Sequence, residues 1–217
     1  FDAGRAEMSL VVEGRNGDKS GRSMVVKSAK IDGAVRTLIE LTAPEELKGQ
    51  AFLFAENDEG DDDVWMYVPA FEVTRRIEGS KKQGAFLGSH FTYNDLESRD
   101  VQQASYEKHD DSEIGDTEVW VVEAHPKSES DSEYGKVLVY VRKEDYVPLK
   151  FKFFEDSDEL MKTLFVEKLD ETDSGRTYIK QMQMRSQKGG FTRITLESLD
   201  TEADFPDAMF SKDQLGK

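Results

Sequence analysis

The residue types that could carry out chemistry are few in this chain, and their spacing does not favour it. Three histidines, His90, His109 and His125, fall in different loops and strands. No two have the i, i+4 spacing that would set two imidazoles on one helix face for a zinc ion, so each reads as a surface histidine. Ser89 and His90 are adjacent, but a nucleophile and its base are brought together by geometry in space, not by adjacency along the chain. Neither a Gly-x-Ser-x-Gly elbow nor a phosphate-cradling glycine loop occurs. With no cysteine, disulfides, thiolate metal sites and thiol catalysis are all excluded. The acidic run Asp58-Glu59-Gly60-Asp61-Asp62-Asp63 is the best metal candidate, because carboxylates gathered at a turn attract Ca²⁺. It lacks the spacing and the distal bidentate Glu of an EF-hand loop, and a solvated hairpin tip explains it more simply. The expectation is no catalytic residue, no metal and no cofactor.

What remains is apolar. Trp65 and Tyr67, Phe151 and Phe153, and Met182 and Met184 each lie two residues apart, so each pair shares one face of a strand. Core packing and the wall of a ligand cavity both call for such pairs. Methionine favours the cavity for 182 and 184, since a flexible thioether adapts to loosely shaped acyl chains. In Gln83-Gly84-Ala85-Phe86-Leu87-Gly88-Ser89, a Phe-Leu pair flanked by glycines is an odd choice for a plain solvent loop. It reads as a flap or plug at a cavity mouth, or as a loop folded onto the end of a barrel. Arg75 and Arg76 read first as partners for acidic loops, and otherwise as gates of the mouth that hydrogen-bond backbone carbonyls.

The elements that must position these residues are strands. Expected strands cover residues 6–12, 23–31, 35–41, 50–55, 64–68, 73–78, 103–109, 118–124, 136–142, 149–154, 160–169, 177–187 and 191–199. They are separated by turn signals such as Asn16-Gly17, Gly115-Asp116, Asp173-Ser174-Gly175 and Gly189-Gly190. In Lys150-Phe151-Lys152-Phe153, and in Lys180 to Arg185, polar and apolar side chains alternate. Lys150, Lys152, Gln181, Gln183 and Arg185 are therefore expected to face water, and the phenylalanines and methionines to point inward. No helical periodicity competes; residues 45–48 and 212–215 each suit a single turn of helix. Strands at this spacing imply an all-β sandwich or barrel, and the lack of a repeat or linker implies one domain over residues 1–217.

Composition narrows the partners. The chain has 217 residues and a formal charge of −16, with 13 Phe, 7 Tyr and 2 Trp. That aromatic content argues against disorder. The charge disfavours nucleic acid, whose phosphates need clustered Lys and Arg, and equally an anionic membrane surface. No apolar run approaches the ~18 residues of a membrane span. The chain opens at Phe1-Asp2-Ala3-Gly4 without an initiator Met, as a processed protein would, and a signal peptide is expected upstream.

The succession Arg36-Thr37-Leu38-Ile39-Glu40-Leu41-Thr42-Ala43-Pro44-Glu45-Glu46-Leu47-Lys48-Gly49 leads on to Val64-Trp65-Met66-Tyr67-Val68-Pro69-Ala70. Arg75-Arg76-Ile77 and Phe86-Leu87-Gly88-Ser89-His90-Phe91-Thr92-Tyr93-Asn94-Asp95-Leu96 follow, with Tyr146-Val147-Pro148-Leu149-Lys150 and Leu160-Met161-Lys162-Thr163-Leu164 later on. This ordered set resembles the LolA-like outer membrane lipoprotein-sorting family over nearly the whole chain. The resemblance implies an incomplete, strongly curved antiparallel β-barrel with short helices or loops plugging its concave side. It implies a periplasmic, non-enzymatic carrier of lipoprotein or lipid acyl chains, with an inner-membrane exporter of the RND type and an outer-membrane receptor as partners. Relatives usually begin with a helix that is missing from the start of this chain, and a receptor of the LolB kind would need a lipidated N-terminal cysteine. The expectations that follow are a soluble, monomeric carrier and a concave apolar cavity. Its walls would be Trp65, Tyr67, Phe151, Phe153, Met182 and Met184, with Phe86 and Leu87 at its mouth. The alternative is a sensor or assembly module of the same fold that binds a protein partner.

Overall fold

The computed structural model describes residues 3–57, 62–97, 101–127 and 132–217. Its first half is a meander of β1 (Ala3–Glu13), β2 (Lys19–Ile31), β3 (Ala34–Ala43), β4 (Ala51–Ala55), β5 (Asp63–Val68) and β6 (Val73–Ile77). The second half continues as β7 (Ala104–Lys108), β8 (Ser112–Ile114), β9 (Thr117–Pro126), β10 (Lys136–Arg142), β11 (Pro148–Phe154), β12 (Leu160–Glu171), β13 (Thr177–Ser186) and β14 (Phe191–Asp200). All pair antiparallel in one 14-stranded sheet of order β6-β5-β4-β3-β2-β1-β14-β13-β12-β11-β10-β9-β7, with β8 beside β7 on β9. The first and last strands thus pair in the middle, Leu10 opposite Ile194, and the curved sheet stays open, with β6 and β7 at its edges. Every expected strand is present; β8, three residues long, was not expected. Asn16-Gly17 falls in the β1–β2 hairpin, whose strands close at Glu13 opposite Lys19. Gly17 takes the positive φ of 84° that the turn needs. Among the described residues, helix is confined to short 3₁₀ turns, one at Lys212–Gln214, and no helix is long and apolar enough to cross a membrane.

Two layers cover the sheet, one on each face. Between β6 and β7, residues 79–97 fold back as a plug across the concave face. Phe86, 2% exposed, meets Phe52 edge-on at 5.0 Å and Tyr93 at 5.6 Å, over a core of Leu10, Met24, Leu41, Phe54 and Val64. Further along the plug, Phe91 packs on Tyr134, Val137, Phe153 and Met184. Leu96 and Ile194 touch both clusters, so the plug ties the two halves together. On the opposite face the segment after β14 crosses β3–β5. Phe210 and Leu215 are buried there against Leu38, Ala51 and Leu53.

Candidate functional site

The plug is held by polar groups as well as by its rings. Lys162 of β12 lies beneath it, and its ammonium donates to Asp95 Oδ2 at 2.6 Å and to the His90 carbonyl at 3.4 Å, with Glu133 at 3.6 Å. Asp95 also accepts from the Tyr134 hydroxyl at 2.7 Å and from the Thr92 amide at 2.8 Å. The Lys162 and Asp95 side chains are 9% and 3% exposed, so these charges are tolerable only because each is paired and hydrogen-bonded. Burial, then the charges of Asp95 and Glu133, push the Tyr134 phenol far above its usual range, which keeps it a donor.

His90 is a second pin. Its backbone N–H donates to Thr192 Oγ1 at 2.9 Å, and its Nδ1 lies 2.8 Å from the same oxygen, which is fully buried with its residue. The surface role expected of His90 is therefore corrected: it is half-buried against the β13–β14 turn. A Cβ at Gly190 would sit 2.9 Å from its Nε2. Burial lowers the His90 pKa from 6.5; a hydrogen bond with the Gly189 backbone opposes this, and the Lys162 charge lowers it further. Folding thus favours the neutral ring. Its contribution is fully present above the unfolded pKa of about 6.5 and is lost as pH falls below it. The thermal midpoint of the parent should accordingly fall more between about pH 7.5 and pH 5.5 than that of His90→Asn. Parallel pH profiles for the two proteins would sink the assignment.

The Ser89 hydroxyl serves the local turn, accepting from the Phe91 amide at 3.1 Å. His109 and His125, far apart in sequence, converge on Glu123, at 3.2 Å and 2.6 Å, because β7 pairs with β9. Sequence reasoning missed this convergence, and only that pairing could have revealed it. Of the acidic run, Asp58 to Asp61 lie outside the described residues, while Asp63 takes a hydrogen bond from Arg76 Nε at 2.8 Å.

The eight apolar residues expected around one cavity separate into four places. Trp65 and Tyr67 are on the wrong face. Their neighbours Val64 and Met66 point into the concave core, and the two rings lie on the opposite face under the C-terminal segment, with the Lys212 ammonium 5.0 Å from the Trp65 ring. The expected cavity wall is corrected at both positions. β5 is apolar on both faces because both are covered, so alternation could not assign them. Phe86, placed at a mouth by the sequence, is instead core. Leu87 packs beside it in the left-handed conformation at φ 52°. Phe153 and Met184, 2% and 0% exposed, form the core beneath Phe91.

Phe151 and Met182 are different. The plug's cover ends within one pleat on several strands in a row. Val137, Phe153, Lys162 and Met184 are buried, whereas Val139, Phe151, Leu164 and Met182, the next residues on the same face, are only partly so. Register joins the latter side by side: Val122 opposite Val139, Val139 opposite Phe151, Phe151 opposite Leu164, and then Val166 opposite Met182 and Met182 opposite Ile194. The result is a partly buried apolar strip running across β9–β14 on the concave side, an arrangement that can shelter an elongated apolar ligand. Its outer end carries Trp120, with the Tyr146 ring 5.1 Å away and 71% exposed. Tyr146 sits in the β10–β11 turn at φ 63°. Beside it, Asp145 is held at about 2 by hydrogen bonding from Arg142, whose Nε donates at 2.7 Å.

Comparison with known proteins places this geometry. A family model described as "-like: Uncharacterized protein" matches residues 33–217. Among solved structures, the chain is similar to a domain from Vibrio parahaemolyticus provisionally designated an outer membrane lipoprotein-sorting protein. The two are 28% identical, with a TM-score of 0.92 over 99% of this chain and 92% of that one. A DUF1329 family protein from Desulfovibrio piger is 26% identical, with a TM-score of 0.93 over 99% and 91% of the two chains. A LolA superfamily protein from Nitrosomonas europaea, 20% identical, shares the fold with a TM-score of 0.77 over 99% and 92%. No curated protein matches in sequence.

Proposed function

This chain belongs to the LolA-like outer membrane lipoprotein-sorting family, and from that footing we propose that it is a periplasmic, non-enzymatic carrier domain. In this reading it shelters the acyl chain of a lipoprotein or lipid on the concave strip and hands it between membranes, with an inner-membrane exporter and an outer-membrane receptor as partners. The observation that carries the reading is the run of partly buried apolar side chains, Val139, Phe151, Leu164, Val166 and Met182, aligned by register beyond the end of the plug. Burying a chain there gains about 0.8 kcal/mol per CH₂, so about ten methylenes or more must be covered before the costs of association are outweighed. The plug borders one long side of the strip, and in this reading the Trp120 and Tyr146 end is the way in.

The test uses a fluorescent fatty acid. Met182→Glu puts a carboxylate against the chain and should weaken probe binding by at least about tenfold. Because Met182 is only partly buried, stability should change by less than about 1 kcal/mol. Met184→Trp serves as the contrast: it overpacks the core beneath Phe91 and should cost about 1–3 kcal/mol of stability. A parent protein that binds no probe would leave the carrier reading without support and favour the module that binds a protein partner.

A further inference from the structure

The face of the sheet opposite the strip carries a cationic island. Lys150 and Lys152 project there from β11, one on each side of Phe151. Among the described residues neither forms an ion pair with a carboxylate, although the chain has 45 Asp and Glu against 29 Lys and Arg. What they meet instead is aromatic. The Lys150 ammonium lies 5.1 Å from the Tyr140 ring and 5.3 Å from the Phe165 ring, and that of Lys152 lies 5.8 Å from Tyr140. Arg185 joins the same face through the row Lys152, Thr163, Arg185. It is exposed and hydrogen-bonded to Gln183, and its charge also reaches Glu167, whose hydrogen bonds go to Arg193. Arg193, one strand further, is already matched by Glu167 at 2.6 Å and 2.9 Å. Partial burial, and then the charge of Lys152, lower the pKa of Lys150. Lys150 and Lys152 are thus two like charges held together on one face with no ion-pair partner among the described residues, an arrangement that a bound anion relieves.

We propose that Lys150, Lys152 and Arg185, on their floor of Tyr140 and Phe165, form a docking surface for an extended acidic segment of a partner protein, one with Asp or Glu at alternate positions. The spacing supports this. Residues i and i+2 of a strand are separated by about 6.8 Å, so two lysines match two carboxylates at alternate positions of an extended peptide. Size and charge favour a peptide over a bilayer. The island spans about three strands, roughly 10 Å, and with a screening length of about 8 Å a short segment feels only the island. An anionic membrane would also face the acidic remainder of the chain, which carries −16 overall. Docking on this face leaves the concave strip free, so a partner could hold the protein during loading or release of cargo.

The experiment measures the anisotropy of a labelled peptide of alternating Glu and Ser on the intact chain. Vesicles containing anionic phospholipid are tested in parallel by co-sedimentation. The parent should bind the peptide at about 0.05 M salt and lose most of that binding at about 0.5 M. The double substitution Lys150→Glu with Lys152→Glu should weaken it at least about tenfold. Lys30→Glu with Lys188→Glu, a change of equal charge at exposed lysines elsewhere, should leave it within about twofold. Thermal melting of both variants checks that they are folded, and Lys150→Gln with Lys152→Gln, which keeps the polarity without the reversal, should show an intermediate loss. The proposal is overturned by a parent that does not bind the peptide, by equal losses in the two double variants, or by binding to vesicles but not to peptide that depends on Lys150 and Lys152.

Discussion

Asp95→Ala is expected to destabilise the fold by about 3–5 kcal/mol, because it strands the Lys162 ammonium in a nearly dry site. Lys162 is 9% exposed in its side chain and has Glu133 only at 3.6 Å as a second acid. The same substitution removes the acceptor of the Tyr134 hydroxyl and of the Thr92 amide, and an unmet buried donor adds to the loss. The cost should be strongly non-additive. Asp95→Asn combined with Lys162→Met removes both charges, leaves Tyr134 and Thr92 an acceptor, and should recover most of the stability lost by Asp95→Ala. Urea unfolding of the parent, Asp95→Ala, Lys162→Met and the double variant provides the measurement. Single variants within about 1 kcal/mol of the parent would mean that the ion pair does not hold the plug.

The second large effect lies on the other face. Phe210 is fully buried against Leu38, Ala51 and Leu53 and meets Phe205 edge-on at 5.9 Å. Phe210→Ala should therefore cost about 3–5 kcal/mol. It should also loosen the cover over Trp65, so in a Trp120→Phe background the remaining tryptophan emission should shift to the red. Fatty-acid binding per folded molecule should stay as in the parent, because Trp65 and Tyr67 do not share a face with the strip. Loss of probe binding in a folded Phe210→Ala protein would reconnect these rings to the ligand, against the arrangement described above.

The sequence alone determined where the strands are and, where alternation was clean, which way they face. In Lys150 to Phe153 the charged and aromatic residues separate as written, since a strand has period two and only one of its faces meets the plug. The parity of Gln183 is also right, for it faces away from Met184, but it is only 2% exposed rather than open to water. Long neighbouring side chains such as Arg185 lie over it, which a pattern along one strand cannot show. The family resemblance supplied the open, curved sheet and its plug, which local patterning leaves undecided between sandwich and barrel.

Only the tertiary structure decided which apolar pairs could face a ligand. Trp65-Met66-Tyr67-Val68 is apolar at every position, and its faces became distinguishable only once the plug covered one and the C-terminal segment the other. Phe151 and Phe153 look alike in sequence, yet one lies at the margin of the plug and the other beneath it. The pinning of His90 by Thr192, the Lys162 and Asp95 pair, and the meeting of His109 with His125 at Glu123 each join residues from separate elements. Periodicity reports contacts along a strand; contacts between distant segments depend on how the chain closes on itself, and that is settled when the sheet curves and the plug folds across it.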